Sequence, residues 1–217
     1  MKSLFVIIFS ISLQTCTSNP APVNNSKAIW TPPKINQEGL KKAYFASGCF
    51  WCVEAIYESV KGVKEVHSGY AGGFTKNPNY NQIGTGRTGH AESVEVIYDP
   101  NQVNYATLLR VFFGSHDPTT PNRQGPDYGT QYRSIAFYTD EFERESIVNY
   151  IKILNDGNYF SNEIITEIKL LEKFYYAEDY HQDYEKNNPN NPYVKNVSIP
   201  RLKKFQKQYP ELLKEIH

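Results

Sequence analysis

A chain of 217 residues, with 23 Lys plus Arg balanced by 23 Asp plus Glu, suits one globular domain of ordinary size with an appendage. Its formal net charge of zero excludes recognition of nucleic acid through bulk electrostatics. With 40% hydrophobic residues, 12 Phe and 17 Tyr against only 13 Gly and 13 Pro, a fibrous or wholly disordered chain is excluded as well.

At the amino terminus Lys2 precedes an apolar run over residues 4–13 that is too short to span a bilayer, the pattern of an export signal. The tetrad LQTC that follows, ending at Cys16, resembles the lipobox of bacterial lipoproteins, although Gln14 and Thr15 are bulkier than its usual small residues. That resemblance implies lipidation of Cys16 and a cell-envelope location, with a lipid anchor as the only membrane attachment. The alternative is an ordinary cleaved signal with Cys16 discarded. Residues 1–16 are thus read as the signal, residues 17–40 as a flexible Thr/Ser/Asn/Pro-rich tether, and residues 41–217 as the folded domain.

Within the domain, residues 42–47 (KAYFAS) read as a buried strand, Gly48 as a turn, and residues 49–61 (CFWCVEAIYESVK) as a helix with apolar residues at helical spacing. Residues 63–71 read as a second strand, and the Gly-rich passage over residues 69–89 as a long functional loop. A third strand follows at residues 91–98, which alternate, then a helix at 105–114 and another polar loop. The segment YRSIAFYT forms the fourth strand. A helix over 140–155, a strand over 164–169 and two helices near 176–187 and 197–208 complete the pattern. Strand, helix, strand, strand, helix, strand is the order of an α+β fold with a two-layer ferredoxin-like (split βαβ) core, here carrying extra C-terminal helices and long loops.

If Cys16 is lipidated, Cys49 and Cys52 are the only thiols of the three cysteines. The strand, Gly, helix order puts Cys49 at a helix N-terminus, where free N–H groups and the helix dipole ease ionisation of a thiol. Cys52 is one turn on. Side chains at that spacing have Cβ atoms about 5–6 Å apart, whereas a disulfide needs about 3.5–4.5 Å, so bridging requires a modest local shift. Zinc is the competing use of C-x-x-C, but a structural site wants four ligands and no second cysteine pair exists, so no metal is assigned.

The string GCFWCVEA says more than its two cysteines do. It resembles the A-type peptide methionine sulfoxide reductases, and GHAESVEVIYDP, DYGTQYRSIAFY and AEDYHQDY resemble that family's other blocks, in matching order, over residues 42–209. The resemblance implies reduction of the S epimer of methionine sulfoxide, free or in proteins. It makes Cys49 the attacking thiol and Phe50 and Trp51 the aromatic wall that receives the substrate's methyl group. Glu92 becomes the acid that handles the sulfoxide oxygen, Tyr80 and Tyr132 the hydroxyls that hydrogen-bond it, and Asp127 the group that helps place the substrate backbone. No bound cofactor is implied, only a thioredoxin-like donor or another dithiol as reductant. One departure stands out. Many members have Gly at the position of Cys52 and resolving cysteines near the C-terminus, whereas here the tail NPNNPYVKNVSIPRLKKF has none. Resolution then falls to Cys52 or to an outside thiol.

Two rivals from other classes also fit parts of the sequence. A thioredoxin-type thiol–disulfide oxidoreductase suits C-x-x-C at a strand–helix junction, and an envelope binding module suits an anchored, Tyr-rich chain. Neither explains the four ordered blocks.

Overall fold

The computed structural model describes residues 30–32 and 38–215. The expected export signal, Cys16 and most of the tether lie outside the described residues. Among the described residues, no helix is long and apolar enough to cross a membrane.

Strands β1 (Lys41–Ser47), β2 (Val63–Ala71) and β3 (Ala91–Tyr98) and the later β6 (Ser134–Tyr138) form the four central strands of one sheet. Their spatial order is β6-β1-β3-β2, all neighbours antiparallel. Helix α1 (Phe50–Glu58) connects β1 to β2, and α3 (Tyr105–Gly114) follows β3. The split βαβ core is therefore present. Two further strands widen it: β7 (Glu167–Leu170) pairs parallel to β6, and β8 (Phe174–Tyr176) pairs antiparallel to β2. Helix α4 (Glu141–Asp156) joins β6 to β7 and is capped by Asp140, whose carboxylate accepts from the Glu143 N–H.

All eight residues of β3 are buried, because the strand is central and both of its faces are covered. One face sends Val94 and Val96 into the main core with Phe45, Ile56, Tyr57, Leu108 and Phe112. There the Phe45 ring stacks on Tyr57 and Phe112 with centroids 5.2 Å apart. The other face is polar at its centre. Glu95 accepts from Tyr44 (2.8 Å), Tyr176 (2.9 Å) and Lys42 (3.0 Å), with His67 Nδ1 at 3.3 Å. Burial opposes ionisation of Glu95, but the bonds from His67, Tyr44 and Lys42 hold its carboxyl at about 2. Trp30 closes over this cluster, its ring 5.2 Å from His67 and 5.4 Å from Tyr176.

The sequence expectation differs in three places. The loop over residues 69–89 contains a short helix, α2 (Tyr80–Gly84), started by a capping box in which Asn79 and Gln82 bond each other's backbone. The polar loop before the fourth strand folds into a hairpin of β4 (Arg123–Gln124) and β5 (Asp127–Tyr128). The helix expected near 176–187 is absent. Tyr176 ends β8, a 3-10 turn covers Asp179–His181, and only Tyr184–Asn187 (α5) is helical. Long-range bonds override local propensity here. Ala177 N–H donates to Ser68 O, and the Gln182 amide pairs with both the N–H and C=O of Ser68. The last helix, α6 (Ile199–Gln208), is found, and a π turn over Val194–Ser198 precedes it.

Candidate active site

The site is built where β1 turns into α1. Gly48 makes that turn at φ +92, and a Cβ there would lie 2.6 Å from Gln124 Cβ, so glycine is required on both counts. The chain then places Cys49 at the N-cap of α1 and Cys52 at its third helical position. The same separation joins the two partners of a capping box, and here it sets two free, buried thiols in one helical turn.

Glu92 reaches the pair from the start of β3. It is 2% exposed, and its Oε2 accepts from the Phe50 N–H at 3.1 Å. Burial pushes its carboxyl up to about 8 against that hydrogen bond, with the charges of Asp127 and Cys52 adding to the rise. At neutral pH Glu92 is therefore mostly a protonated acid that can give a hydrogen to an oxygen.

The sequence expectation makes Cys49 the easily ionised thiol; in the site it titrates as one of a pair with Cys52. Burial pushes Cys49 well up, and its hydrogen bond goes to Cys52. Cys52 falls to about 6 through the Cys49 bond, which outweighs its own burial, with the Arg201 guanidinium, Ser198 and Tyr193 assisting. The physical reason is local. The first free amide of α1, that of Phe50, is taken by Glu92, while Arg201 faces the second sulfur. Arg201 is itself fixed, donating to Ser47 O and Ser115 O at 2.9 Å each.

Phe50 and Trp51 form an aromatic wall beside the thiols, their ring centroids 6.1 Å apart, with Tyr80 stacked 6.3 Å from Phe50. Tyr80 and Tyr132 are both half-buried, and burial raises both phenols. Asp127, on β5, accepts from Tyr193 OH at 2.6 Å, and Cys52 Sγ lies 3.8 Å from the same hydroxyl. The structure thus gathers Cys49, Phe50, Trp51, Cys52, Tyr80, Glu92, Asp127 and Tyr132 around one point. Beyond Cys52, a cavity of about 1090 Å³ is lined by Cys52, Asp127, Tyr193 and Arg201 but by neither Cys49 nor Glu92. Among the described residues, no group of three or more His, Cys, Asp or Glu is placed to hold a metal ion.

Tyr193, Arg201, His181 and Glu178 belong to the site but were not singled out in the sequence. The last two lie in AEDYHQDY, a block noticed as a string without a role for its members. Glu178 accepts from Tyr80 N–H at 3.0 Å and from Tyr70 OH at 2.8 Å. Burial lowers His181 to about 4.

A thiol backed by a second thiol and faced by a protonated carboxyl is the equipment of a thiol-dependent reductase that removes oxygen from its substrate. Comparison with known proteins narrows the class. The model of the family described as peptide methionine sulfoxide reductase matches residues 41–213. A relative from Nautilia profundicola, peptide methionine sulfoxide reductase MsrA, is 50% identical over 77% of this chain and 95% of its own length. MsrA 2 of Synechocystis sp. is 47% identical over 84% of this chain and 86% of its own. Among solved structures, reduced Mxr1 from Saccharomyces cerevisiae superposes with a TM-score of 0.66 at 32% identity, over 73% of this chain and 91% of that one. Methionine sulfoxide reductase A of Corynebacterium diphtheriae gives 0.64 at 38%, over 72% and 78%. The chain belongs to the peptide methionine sulfoxide reductase family.

Proposed function

We propose that this protein reduces the S epimer of methionine sulfoxide, free and in proteins, through a Cys49 sulfenic acid and a Cys49–Cys52 disulfide. The observation that carries the reading is the placing of two free, buried thiols in the first turn of α1, with the buried Glu92 carboxyl bonded to that same turn. Cys49 attacks the sulfoxide sulfur as its proton passes to the Cys52 thiolate and Glu92 protonates the oxygen. Collapse releases methionine and leaves the oxygen on Cys49 as a sulfenic acid. Cys52 then displaces the hydroxyl, which departs as water with the Cys52 proton, and a disulfide forms. The proton count closes with Glu92 ionised, to be recharged when a dithiol donor of thioredoxin type restores both thiols.

Phe50 and Trp51 wall one side only, so they favour a methyl group there and set the epimer. Tyr80 and Tyr132 hydrogen-bond the oxygen, and Asp127 holds the substrate backbone. One equivalent of S-methionine sulfoxide followed by mass spectrometry tests the chemistry. The expected product has lost two hydrogens and carries a Cys49–Cys52 bond. An unchanged protein, or equal reaction with the R epimer, overturns the reading.

The location proposed is the cell envelope, with residues 1–16 as a lipoprotein-type signal, Cys16 lipidated and residues 17–40 as the tether that holds the domain of residues 41–217. Lys2, the apolar run and LQTC support it. Metabolic labelling with a fatty acid should mark the parent and not Cys16→Ser, and equal labelling of both would refute lipidation.

A further inference from the structure

Of the sequence blocks that mark this chain, AEDYHQDY supplies no group to the chemistry above, yet it supports the substrate wall from behind. Tyr184 stacks flat on Trp51, with centroids 3.7 Å apart and planes 8° from parallel. His181, only 1% exposed, packs against Phe50 at 5.0 Å and Tyr80 at 4.4 Å. The one polar atom of the Trp51 indole, Nε1–H, donates to His181 Nδ1 at 3.1 Å. Stacking fixes the plane of a ring but leaves it free to slide within that plane. A hydrogen bond at its edge removes that freedom.

The imidazole accepts at Nδ1 only as the neutral tautomer that carries its hydrogen on Nε2. That Nε2 is buried without a partner. A residue serving only to fill space would not bring an orphaned N–H into the interior, since burying an unpaired donor is unfavourable. The acceptor at Nδ1 is thus the property for which the fold tolerates histidine. We propose that His181 is a positioning residue for sulfoxide reduction, its Nδ1 locking the Trp51 indole so that the substrate's sulfur is presented to Cys49. The inference rests on the reading of Phe50 and Trp51 as the methyl-receiving wall.

The chain has two tryptophans, so Trp30→Phe leaves Trp51 as the single tryptophan, which can be excited selectively at the red edge where tyrosine does not absorb. In that background His181→Asn retains an acceptor close to the Nδ1 position, whereas His181→Leu has nearly the same shape and no acceptor. For His181→Leu we expect kcat/KM on free S-methionine sulfoxide to fall about 10- to 100-fold, the scale of a displacement of about 1 Å in a reacting geometry. The single-turnover rate should fall with it, and the fluorescence anisotropy of Trp51 should decay faster. His181→Asn should recover most of the rate and the slow anisotropy decay. Equal kinetics in parent and Leu variant, or an Asn variant that folds yet is as impaired as Leu, overturns the proposal. A parent that fails to reduce the sulfoxide would sink the functional reading instead, and the anisotropy comparison would still decide whether His181 holds Trp51.

Discussion

The backbone N–H of Phe50 donates to Glu92 Oε2 across 3.1 Å, so the leading amide of helix α1 serves the proposed acid instead of the sulfur that precedes it. One bond thereby holds the acid against the helix that carries both thiols. Replacing Glu92 by Gln keeps the acceptor and removes the proton. Turnover should drop by about 10² to 10⁴, the usual contribution of a positioned acid, and kinetics on S-methionine sulfoxide would measure it. Parental turnover in Glu92→Gln would remove Glu92 from the chemistry.

The same carboxyl sets the pH dependence. Because it titrates at about 8, kcat/KM should decline above that value as its proton is lost, and should also fall below about 6 as Cys52 becomes protonated and can no longer accept the Cys49 proton. Stability follows the same sign. A folded-state carboxyl raised above its ordinary 4.5 favours the protonated protein, so stability erodes as pH climbs from about 4.5 through about 8. Melting temperatures of parent and Glu92→Gln should diverge over that window, the variant being the more stable at the upper end.

Cys52 has two duties in the proposed cycle, first as proton acceptor and then as resolving nucleophile. Cys52→Ser should complete one turnover, more slowly at neutral pH, and stall as a Cys49 sulfenic acid that a dimedone-type reagent captures. Steady-state turnover with a dithiol protein donor should vanish. Alkylation of the remaining Cys49 should require higher pH than the fast-reacting thiol of the parent, because burial holds its proton on.

Glu178 anchors α2 by accepting from the Tyr80 N–H and Tyr70 OH. Glu178→Ala leaves both donors without their acceptor, which costs about 1–3 kcal/mol in stability by urea unfolding. It should also raise KM for the sulfoxide, since Tyr80 then loses its fixed place. An unaltered KM would separate Glu178 from the site.

On the opposite face, Glu95→Ala strips the acceptor from Lys42, Tyr44, Tyr176 and His67. Removing one side of a buried charged cluster costs about 3–5 kcal/mol, read from urea unfolding, with kcat unchanged in the folded fraction. The parent's share of stability from Glu95 is full above about 4.5 and fades as pH falls toward about 2, so the variant's stability should be flatter across that acid range.

Legibility in the sequence followed periodicity. The alternation of β3 and the helical spacing of α1 are written in short windows, and both were readable, as was the split βαβ order they imply. The run from Tyr176 to Asn187 reads locally as one helix, and β8 has no local signal, because their structure comes from distant partners. Ser68 binds Ala177 and Gln182 across more than a hundred residues, and no local window contains that. The catalytic group was legible because GCFW, GHAES and GTQYRS are dense strings, while Arg201 and Tyr193 sit in a tail with no such density. The ionisation of the thiol pair was beyond the sequence altogether. It depends on burial and on the approach of Arg201, Ser198 and Tyr193, which are tertiary facts.

Both sulfurs hang from a single helical turn, and the carboxy-terminal helix is held to the body of the domain by the Arg201 bonds to Ser47 and Ser115. The proposed disulfide can therefore form with a modest shift confined to that turn. The oxidised and reduced molecules should share one silhouette, so a partner that prefers one of them has to sense the sulfur chemistry directly, not a swung arm.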